Sequence, residues 1–477
     1  MRGISKLNGI ILIAVFLVLM FMVYNLNLLP FKYFLIAGSV LSLFVLLFVF
    51  KLVRKKTGVF SRILFNIFSI GMICGFIYII SYINATNNFL NNMVAKNFEV
   101  VTYDVIVNKT SNYNSIGDLY NKDIAHISSD SNYNLLKFKL RSDIKYVERQ
   151  YKSVDLFESS IENGDIAALV LPDSYYEMLK EEYSNLESST KVIKKYKIIV
   201  KRDKKSDNKV LSKSPFLLYI SGIDTYGKIS SVSRSDVNIL MAVNPTKEKI
   251  LLVSIPRDYY VLIPEKRAKD KLTHAGIYGI DTSISTINNL LDTKIDYYLR
   301  INFSTLTKSI DLIDGVDIYS DRTFNPTSNP NITINKGMNH MNGDMALAFA
   351  RERYTYTQGD RRRGENQQAI ITEMINKMTD TKYVMKYKKI LNSLDGSFET
   401  SMGQKQITDL FKMQMERKIN WKTESISLDG IGGYNITYSM GSRRLYVMEP
   451  NVESVNNAKV VLNNYLEKEK SNGKYKR

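Results

Sequence analysis

The sequence predicts an α/β protein with three N-terminal transmembrane helices, a small α/β accessory domain and a larger extracellular domain. In the larger domain, helices are expected to flank a central mixed sheet. Three observations predict this architecture: long apolar runs fill the first 83 residues, short strands and helical stretches mix over 98–203, and apolar strands interleave with amphipathic helices after residue 215. Such interleaving is typical of a buried sheet covered by helices.

Residues 1–83 are predicted to anchor the chain in a membrane. Three apolar runs cover residues 10–29, 34–50 and 63–83, and no Asp or Glu precedes Glu99. Each run is close to the ~20 residues that cross a bilayer core as a helix. A signal peptide would have one such run followed by a small-residue cleavage site, so three runs indicate a membrane anchor instead.

The basic residues beside these runs predict the topology. The loop at 51–62 reads KLVRKKTGVFSR and the N-terminus carries Arg2 and Lys6, whereas the turn at 30–33 has a single lysine. Basic loops are retained in the cytoplasm. We therefore expect a cytoplasmic N-terminus and, after three crossings, residues 84–477 outside the cell.

Cysteine usage and charge narrow the class of protein. The only cysteine, Cys74, falls inside the third apolar run, and the net charge is +18. A large outward region without disulfides fits a bacterial cell-envelope protein better than a eukaryotic secreted one. The positive charge suits an anionic ligand or surface. Nucleic acid is not an expected partner, because the basic outer region is predicted to lie outside the cell.

The accessory domain is predicted at 98–203. The segments EVVTYDVIVNK (99–109) and VIKKYKIIV (192–200) are rich in β-branched and aromatic residues, as strands are. No catalytic pattern occurs here, and the isolated His126 is predicted to be structural. The polar stretch at 204–214 is predicted to be a linker.

The domain at 215–477 contains the segments with functional patterns. Three apolar strands are predicted in PFLLYISGIDTYG, SRSDVNILMAVN and KILLVSIPRDYYVLIP. The last of these strands is stopped by Pro256. Helices are predicted at 282–291, 303–315, 343–353 and 363–378, and the last three show apolar residues at three- and four-residue spacing.

Several common chemistries are excluded by missing motifs. The sequence has no G-x-x-x-x-G-K-[ST] phosphate loop and no G-x-S-x-G hydrolase elbow. Three scattered histidines and one cysteine in a membrane run do not make a usual zinc site. Carboxylates and arginines at the ends of predicted strands and helices remain.

These end positions are expected to converge on one crevice, as the ends of neighbouring elements do in α/β folds. Arginine forks match phosphate oxygens, and several together suit a diphosphate. Carboxylates beside such a ligand need a hard cation, and Mg²⁺ held by one or two carboxylates and substrate phosphates fits. The start of a helix also favours an anion. The candidates are Asp224, Asp236, Arg257, Asp258, Arg351, Arg353, Arg363, Asn366 and Gln367.

Structural explanations stay open for each candidate taken singly. Arg257 and Asp258 would also make an ordinary surface ion pair, and the arginines at 361–363 would also suit a solvated loop. An aspartate before a strand is often only a turn residue. The conjunction of all these positions favours the functional interpretation.

Several segments together resemble the LytR–CpsA–Psr family. They are GIDTYG, SRSDVNIL, SIPRDYYV, DKLTHAGIYG, IDYYLRINF and FARER followed by GDRRRGENQQ. The three apolar runs and the 98–203 insert are similar to the CpsA-type, capsular polysaccharide branch. The resemblance implies a phosphotransferase that moves an undecaprenyl-diphosphate-linked glycopolymer, capsular or teichoic-acid-like, onto peptidoglycan and releases undecaprenyl phosphate.

The resemblance also implies roles for single residues. Asp224 and Asp236 would hold Mg²⁺, and Asp360 would orient the arginines or help to activate the attacking hydroxyl. Arg361 and Arg362 are expected at the outer rim, in a connecting loop. The diphosphate would be bound by Arg257, Arg351, Arg353, Arg363, Gln367 and Asn366, with Lys271 and Arg234 as weaker candidates.

Two alternatives to this enzyme remain: a non-catalytic envelope regulator that binds polyprenyl diphosphate, and a hydrolase that uses water as acceptor. Only the N-terminus and the loop at 51–62 are predicted to face the cytoplasm, which leaves no room there for a DNA-binding or kinase domain. The lipid carrier would need an apolar slot, which the helices over 282–315 and 364–378 are expected to form. The membrane lipid and capsule-assembly membrane proteins are further expected partners.

Overall fold

The computed structural model describes residues 2–467, apart from 56, 96–97, 153, 155–159, 162, 203–208, 225–228, 230–232, 357–358, 379–395 and 397. Three of its helices are long and apolar enough to cross a membrane: α1 (Arg2–Leu26), α2 (Phe31–Val53) and α3 (Val59–Met93). The prediction that the three apolar runs are helices is therefore confirmed. The third helix continues to Met93, so the predicted end of the anchor at residue 83 falls inside it.

The three anchor helices pack on one another and on the outer part of the protein. Leu12 and Phe16 of α1 form a buried cluster with Val45 of α2. At the other end of the anchor, the residues that follow α3 contact the large domain before the chain enters the accessory domain. The N–H of Ala95 donates to the carbonyl of Thr400 at 2.7 Å. The chain therefore contacts the large domain two residues after α3 ends.

The accessory domain is a five-stranded mixed sheet with helices. Its strands are β1 (Phe98–Asn108), β2 (Asp123–Ile127), β3 (Val147–Tyr151), β4 (Ala168–Pro172) and β5 (Thr190–Lys201), in the order β3-β2-β4-β1-β5. β2 is parallel to β3 and β4, whereas β1 is antiparallel to β4 and β5. Its helices are α4 (Tyr133–Asp143), α5 (Asp173–Glu182) and α6 (Leu186–Ser189). His126 is buried and stacks on Tyr133, which agrees with a structural role.

The large domain is built on a six-stranded mixed sheet in the order β14-β11-β6-β7-β8-β15. Strands β6, β8, β11 and β15 run in one direction, and β7 and β14 run in the other. Three two-stranded ribbons, β9-β10, β12-β13 and β16-β17, lie outside this sheet. The strands are β6 (Phe216–Ile223), β7 (Val237–Asn244), β8 (Lys249–Ser254), β9 (Tyr260–Ile263), β10 (Ala268–Lys271), β11 (Tyr297–Asn302), β12 (Val316–Ser320), β13 (Gly337–Met341), β14 (Phe398–Thr400), β15 (Lys422–Ser427), β16 (Gly430–Ile436) and β17 (Arg444–Pro450).

Helices cover both faces of this sheet. Successive side chains of a strand point to opposite faces. Accordingly, Leu217 and Tyr219 of β6 pack with α8 (Ile280–Leu291) and α13 (Val452–Leu466). Leu218 and Ile220 pack on the other face with α11 (Asp360–Met378) and α12 (Gln404–Arg417). The predicted α/β class with a central mixed sheet is confirmed. The helices are α7 (Leu272–Ala275), α8 (Ile280–Leu291), α9 (Phe303–Leu312), α10 (Gly343–Arg351), α11 (Asp360–Met378), α12 (Gln404–Arg417) and α13 (Val452–Leu466), with 3₁₀ turns at Ile116–Leu119, Pro264–Lys266, Gly276–Tyr278 and Tyr438–Met440.

The directions of the strands place several strand ends at one edge of the large sheet. β6, β8 and β11 are aligned, so their carboxyl ends meet there. β7 is antiparallel to β6, and it begins opposite Gly222. A Cβ at Gly222 would lie 2.6 Å from the Cβ of Val237, so only glycine allows this close contact between the strands. This edge carries Asp224, Asp236 and Arg257.

Two predicted helix boundaries were wrong. Helix α11 begins at Asp360, three residues before the predicted start, so Arg361 and Arg362 belong to its first turn and not to a connecting loop. Helix α10 ends at Arg351, so Arg353 follows the helix instead of closing it. The sequence assigned no elements after residue 378, where the structure has α12, α13 and four strands. Residues 204–208 of the predicted linker and 225–227 of the GIDTYG segment lie outside the described residues.

Candidate active site

A cavity of about 450 Å³ opens at this edge of the sheet. One part of its wall is apolar, with Ile220, Ile301, Leu306, Leu347 and Ile370 among the residues that line it. These side chains come from β6, β11 and the helices α9, α10 and α11. The polar part of the lining contains seven residues that the sequence predicted for the site, namely Asp224, Asp236, Arg257, Arg351, Arg353, Arg363 and Gln367.

Arg257 is fixed against Asp236 by an ion pair. Its Nη1 donates to Asp236 Oδ1 at 3.0 Å, and the hydroxyl of Thr273 donates to the same oxygen at 3.2 Å. Burial alone would raise the pKa of Asp236, but the guanidinium groups of Arg257, Arg234 and Arg363 outweigh burial and lower it. Asp236 is therefore held as a carboxylate among arginines.

Asp258 and Lys271 form a second, buried pair behind Arg257. Lys271 Nζ lies 3.2 Å from Asp258 Oδ1, and the two side chains are 11% and 9% exposed. The alternative that Arg257 and Asp258 form an ordinary surface ion pair was wrong about the surface position, because Asp258 is buried. Lys271, a predicted diphosphate ligand, is not among the described residues that line the cavity. Its charge is neutralised by Asp258.

Asp224 lies in the same cavity in a different electrostatic environment. Burial and the nearby charge of Asp236 raise the pKa of Asp224, and Arg351, whose Nη2 is 3.5 Å from Asp224 Oδ2, lowers it only in part. Two carboxylates thus repel each other at one edge of the cavity. A divalent cation would relieve this repulsion.

The donor set at this edge fits Mg²⁺ better than a transition metal. Mg²⁺ is commonly bound through one or two carboxylates together with substrate phosphates and water. Asp224 and Asp236 supply the two carboxylates. Among the described residues, no group of three or more His, Cys, Asp and Glu residues is close enough together to hold a metal ion by itself. A cation at this place would therefore depend on oxygens from a ligand.

Arg363 occupies the first turn of α11 and is nearly buried. Its Nη2 lies 2.7 Å from Asp360 Oδ1, and the Arg363 side chain is 11% exposed. Burial lowers the pKa of Arg363, and the positive charges of Arg257 and Arg353 lower it further against the opposing effect of Asp360. Cations that repel one another in this way favour the binding of an anion.

Glu352, between two cavity arginines, was missed as a candidate. Its carboxylate is 1% exposed and accepts backbone N–H groups from Thr327 at 2.6 Å, Tyr354 at 2.7 Å, and Arg353 and Thr355 at 2.9 and 3.0 Å. These bonds fix the turn that presents Arg351 and Arg353 to the cavity. The signal available in the sequence was the position of Glu352 between two arginines.

Four arginines therefore face one cavity from three parts of the chain. Arg257 follows β8, Arg351 and Arg353 flank the end of α10, and Arg363 lies at the start of α11. The guanidinium of Arg351 lies 4.5 Å from the centroid of the Phe303 ring. We call Arg257, Arg351, Arg353 and Arg363 the arginine cluster.

Other predicted site residues have different environments. Asn366 is 2% exposed, and its amide donates to the carbonyl of Phe349 at 3.1 Å, so it joins α11 to α10 and does not line the cavity. Gln367 donates to the carbonyl of Ala350 at 3.2 Å and does line the cavity. Asp360 lines a small adjoining cleft that shares Arg257 and Arg363 with the cavity.

The two remaining arginines of α11 do not line the cavity, although Arg361 lines the small adjoining cleft. Arg361 pairs with Asp429 at 3.4 Å and is 48% exposed, which agrees with a rim position. Arg362 lies 3.1 Å from Glu365 and stacks on the ring of Tyr356 at 5.0 Å, with 24% of its side chain exposed. The expectation of a solvated loop was therefore wrong for Arg362.

The fold and cavity together define a class: a membrane-anchored α/β protein whose cavity combines an apolar wall with an arginine-rich end. The sequence model of the LytR_cpsA_psr family matches residues 182–459. The chain therefore belongs to the LytR–CpsA–Psr family.

Two relatives have similar sequences. TagU of Bacillus cereus is 31% identical over 274 residues, which cover 56% of this chain and 86% of TagU. TagU of Enterococcus faecalis is 31% identical over 237 residues, which cover 49% of this chain and 76% of that protein. Both relatives are named polyisoprenyl-teichoic acid–peptidoglycan teichoic acid transferases.

Solved structures also match the chain. The crystal structure of Bacillus subtilis TagV is 27% identical, with a TM-score of 0.45, and the match covers 53% of this chain and 98% of TagV. The crystal structure of B. subtilis TagT is 25% identical, with a TM-score of 0.43, and the match covers 56% of this chain and 95% of TagT.

Proposed function

We propose that the protein is a phosphotransferase that moves an undecaprenyl-diphosphate-linked glycopolymer onto peptidoglycan and releases undecaprenyl phosphate. The polymer is a capsular polysaccharide or a teichoic-acid-like chain. The observation that carries this proposal is one cavity in which an apolar wall meets the arginine cluster. The family and the transferase names of the two TagU relatives support it.

The cavity suits a ligand that is apolar at one end and doubly phosphorylated at the other. Isoleucine and leucine side chains of the lining would take the part of the prenyl chain next to the diphosphate. The arginine cluster would bind the phosphate oxygens, because planar guanidinium groups match them with two parallel hydrogen bonds. The three anchor helices would hold the cavity close to the bilayer that contains the carrier.

The reaction forms one phosphodiester bond and breaks one phosphoanhydride bond. A hydroxyl oxygen of the peptidoglycan acceptor attacks the phosphorus that bears the glycan, and its proton passes to a base, for which Asp360 is the candidate in this chain. The lipid phosphate leaves with the electrons of the broken P–O bond. Catalysis of such a transfer is mainly positioning and charge stabilisation. The arginine cluster would supply both, since its members reach one cavity from three parts of the chain.

Asp224 and Asp236 would hold Mg²⁺ against the diphosphate. Bound there, the cation would neutralise charge on the phosphates. Asp236 has a second role in this proposal, because it would also orient Arg257 through their 3.0 Å ion pair.

Asp360 is proposed to orient Arg363, since its carboxylate is 2.7 Å from the guanidinium. A role as the base that takes the hydroxyl proton is the second candidate, because Asp360 lines the cleft beside the arginines. Asp360→Asn distinguishes these roles. Loss of turnover with unchanged diphosphate affinity indicates the base, whereas weakened diphosphate binding indicates the orienting role.

The proposed reaction requires the cavity to lie on the outer side of the membrane. We therefore propose a cytoplasmic N-terminus and an extracellular 84–477, as the basic loop at 51–62 indicates. A reporter that is active only outside the cytoplasm, fused after Arg477, should be active. Activity only from a cytoplasm-dependent reporter would contradict this topology.

The function is tested with the full-length protein in detergent, Mg²⁺, a lipid-diphosphate glycan and peptidoglycan. We expect lipid monophosphate in equal amount to glycan linked to peptidoglycan. Lipid monophosphate without linked glycan would indicate the hydrolase. Binding without any product would favour the envelope regulator, and capsule-assembly membrane proteins would then be the partners to seek.

A further inference from the structure

The accessory domain contributes one side chain to the cavity of the large domain. Glu181 lies in α5, just before the region that matches the family at 182–459, and it is one of the residues that line the cavity. Its carboxylate forms a two-pronged ion pair with Arg234, in which Arg234 Nη1 donates to Glu181 Oε2 at 2.7 Å and Nη2 donates to Oε1. Unlike Asp224 and Asp236, Glu181 has no part in the proposed cation site, so its place in a cavity suited to an anion needs another explanation.

This pair occupies the part of Arg234 that would bind phosphate. A guanidinium group presents its donors as a fork, and one carboxylate can fill the face formed by Nη1 and Nη2. Glu181 takes both of these nitrogens. Among the described residues that line the cavity, Glu181 is included and Arg234 is not. Glu181 therefore stands between Arg234 and the cavity.

The two partners are not equally fixed. The Arg234 side chain is 17% exposed, whereas that of Glu181 is 59% exposed. The backbone beside Arg234 is tightly packed, since a Cβ at Gly276 would lie 2.4 Å from the carbonyl oxygen of Ser233. The next residue, Ser235, has its hydroxyl in a buried network with Ser221 at 2.8 Å. Glu181 is thus the partner that can move while Arg234 stays in place.

We propose that Glu181 is an exchangeable counter-ion that masks Arg234 until the diphosphate of the substrate displaces it. This inference rests on the proposed function, because it needs a diphosphate in the cavity. The accessory domain would then keep one arginine of the site neutralised while the cavity has no substrate. Displacement frees the end of α5, so that occupancy of the cavity is coupled to the accessory domain.

The decisive variant is Glu181→Gln in the full-length protein, which keeps the shape of the side chain but removes its charge. Geranylgeranyl diphosphate with Mg²⁺ serves as the probe, and its affinity is measured by calorimetry. Glu177→Gln is the matched control, since Glu177 lies in the same helix, is 61% exposed and pairs only with Lys180 within that helix among its described contacts. A thermal melt of each variant reports on folding.

We expect Glu181→Gln to bind the probe roughly three- to tenfold more tightly, because a competing exposed ion pair and a repulsive charge are both removed. The gain should shrink as salt is raised, since exposed charges are screened. Glu177→Gln should bind like the unmodified protein. In the unmodified protein, the probe should also increase amide hydrogen exchange around Glu181.

Two results would overturn the inference. Weaker binding by Glu181→Gln would mean that Glu181 positions Arg234 or helps to bind the cation. Unchanged affinity together with unchanged hydrogen exchange would mean that the pair only joins the two domains. Failure of the unmodified protein to bind the probe would instead count against the proposed function itself, so the two ideas fail in different ways.

Discussion

Replacing Arg363 by lysine tests whether the arginine cluster binds a diphosphate. The Arg363 side chain is 11% exposed and is positioned by Asp360 at 2.7 Å. Lysine keeps the positive charge but cannot supply two parallel donors from a rigid plane. Loss of one charge-assisted hydrogen bond costs about 1.5–3 kcal/mol. Because about 1.4 kcal/mol corresponds to a factor of ten, Arg363→Lys should bind a polyprenyl diphosphate roughly 10- to 150-fold more weakly.

Arg361→Lys is the matched control from the same helical turn. Arg361 is 48% exposed and pairs with Asp429 at 3.4 Å; it lines the adjoining cleft but not the cavity itself. A surface change of this kind should alter the free energy of binding by no more than about 0.5 kcal/mol. Both variants are compared by calorimetry with geranylgeranyl diphosphate and Mg²⁺, after melts confirm folding. Equal losses for Arg361→Lys and Arg363→Lys would show a general basic surface and refute the specific cluster.

Contacts near the cavity give three further predictions. Glu352→Gln should lower the free energy of unfolding by about 1.5–3 kcal/mol, because charge-assisted bonds to backbone N–H groups are weakened. Burial raises the pKa of Glu352, but its backbone donors outweigh burial and lower the pKa. The carboxylate should therefore stabilise the fold above the ordinary glutamate pKa and lose this contribution as pH falls through the lowered value. The melting temperatures of the unmodified protein and Glu352→Gln should converge at acidic pH, and a constant difference between them would contradict the assignment. Gly343→Ala should lower the free energy of unfolding by about 1–3 kcal/mol, because the new Cβ would lie 2.3 Å from the backbone carbonyl oxygen of Thr307. Gly433→Ala is the control and should leave the free energy of unfolding unchanged, because its Cβ would have no atom within 4 Å. Asp224→Asn should abolish Mg²⁺-dependent transfer and keep the melting temperature. Asp236→Asn should abolish transfer and also lower the melting temperature, because it weakens the 3.0 Å ion pair that holds Arg257. Full transfer in EDTA would remove the metal from the mechanism.

The convergence of Asp224, Asp236 and Arg257 could be predicted because it depends on local signals. Each residue adjoins an apolar strand, and strand ends in an α/β sheet meet at an edge. The structure does place these three residues in one cavity. This prediction did not require the direction of each strand in the mixed sheet, because β7 begins beside the end of β6.

Other features depend on contacts between distant parts of the chain, which no local pattern encodes. Glu181 and Arg234 are 53 positions apart and meet only because two domains pack together. The pairing of Lys271 with Asp258 likewise removes a predicted ligand from the site. Asn366 was predicted from its place near a helix start, but its amide is used to join two helices. The pattern predicted which residue types gather here, and packing decides which of them face the cavity.

The same limit applies to the predicted roles of both aspartates. From the sequence, Asp224 and Asp236 were equivalent, because both were expected to hold Mg²⁺. The structure separates them, because Asp236 holds Arg257 at 3.0 Å and Asp224 has only a 3.5 Å contact with Arg351. Their pKa shifts also have opposite directions. The structure therefore predicts a loss of stability after a change at Asp236 but not after a change at Asp224.

The measurement that tests the central claim most directly follows the phosphorus atom that bears the glycan. A lipid-diphosphate glycan labelled with ³²P at that position is incubated with the full-length protein, Mg²⁺ and peptidoglycan. We expect the label to become linked to peptidoglycan through a phosphodiester while unlabelled lipid monophosphate is released. Label that stays on the lipid, or that appears on soluble glycan phosphate, would contradict transfer to the cell wall.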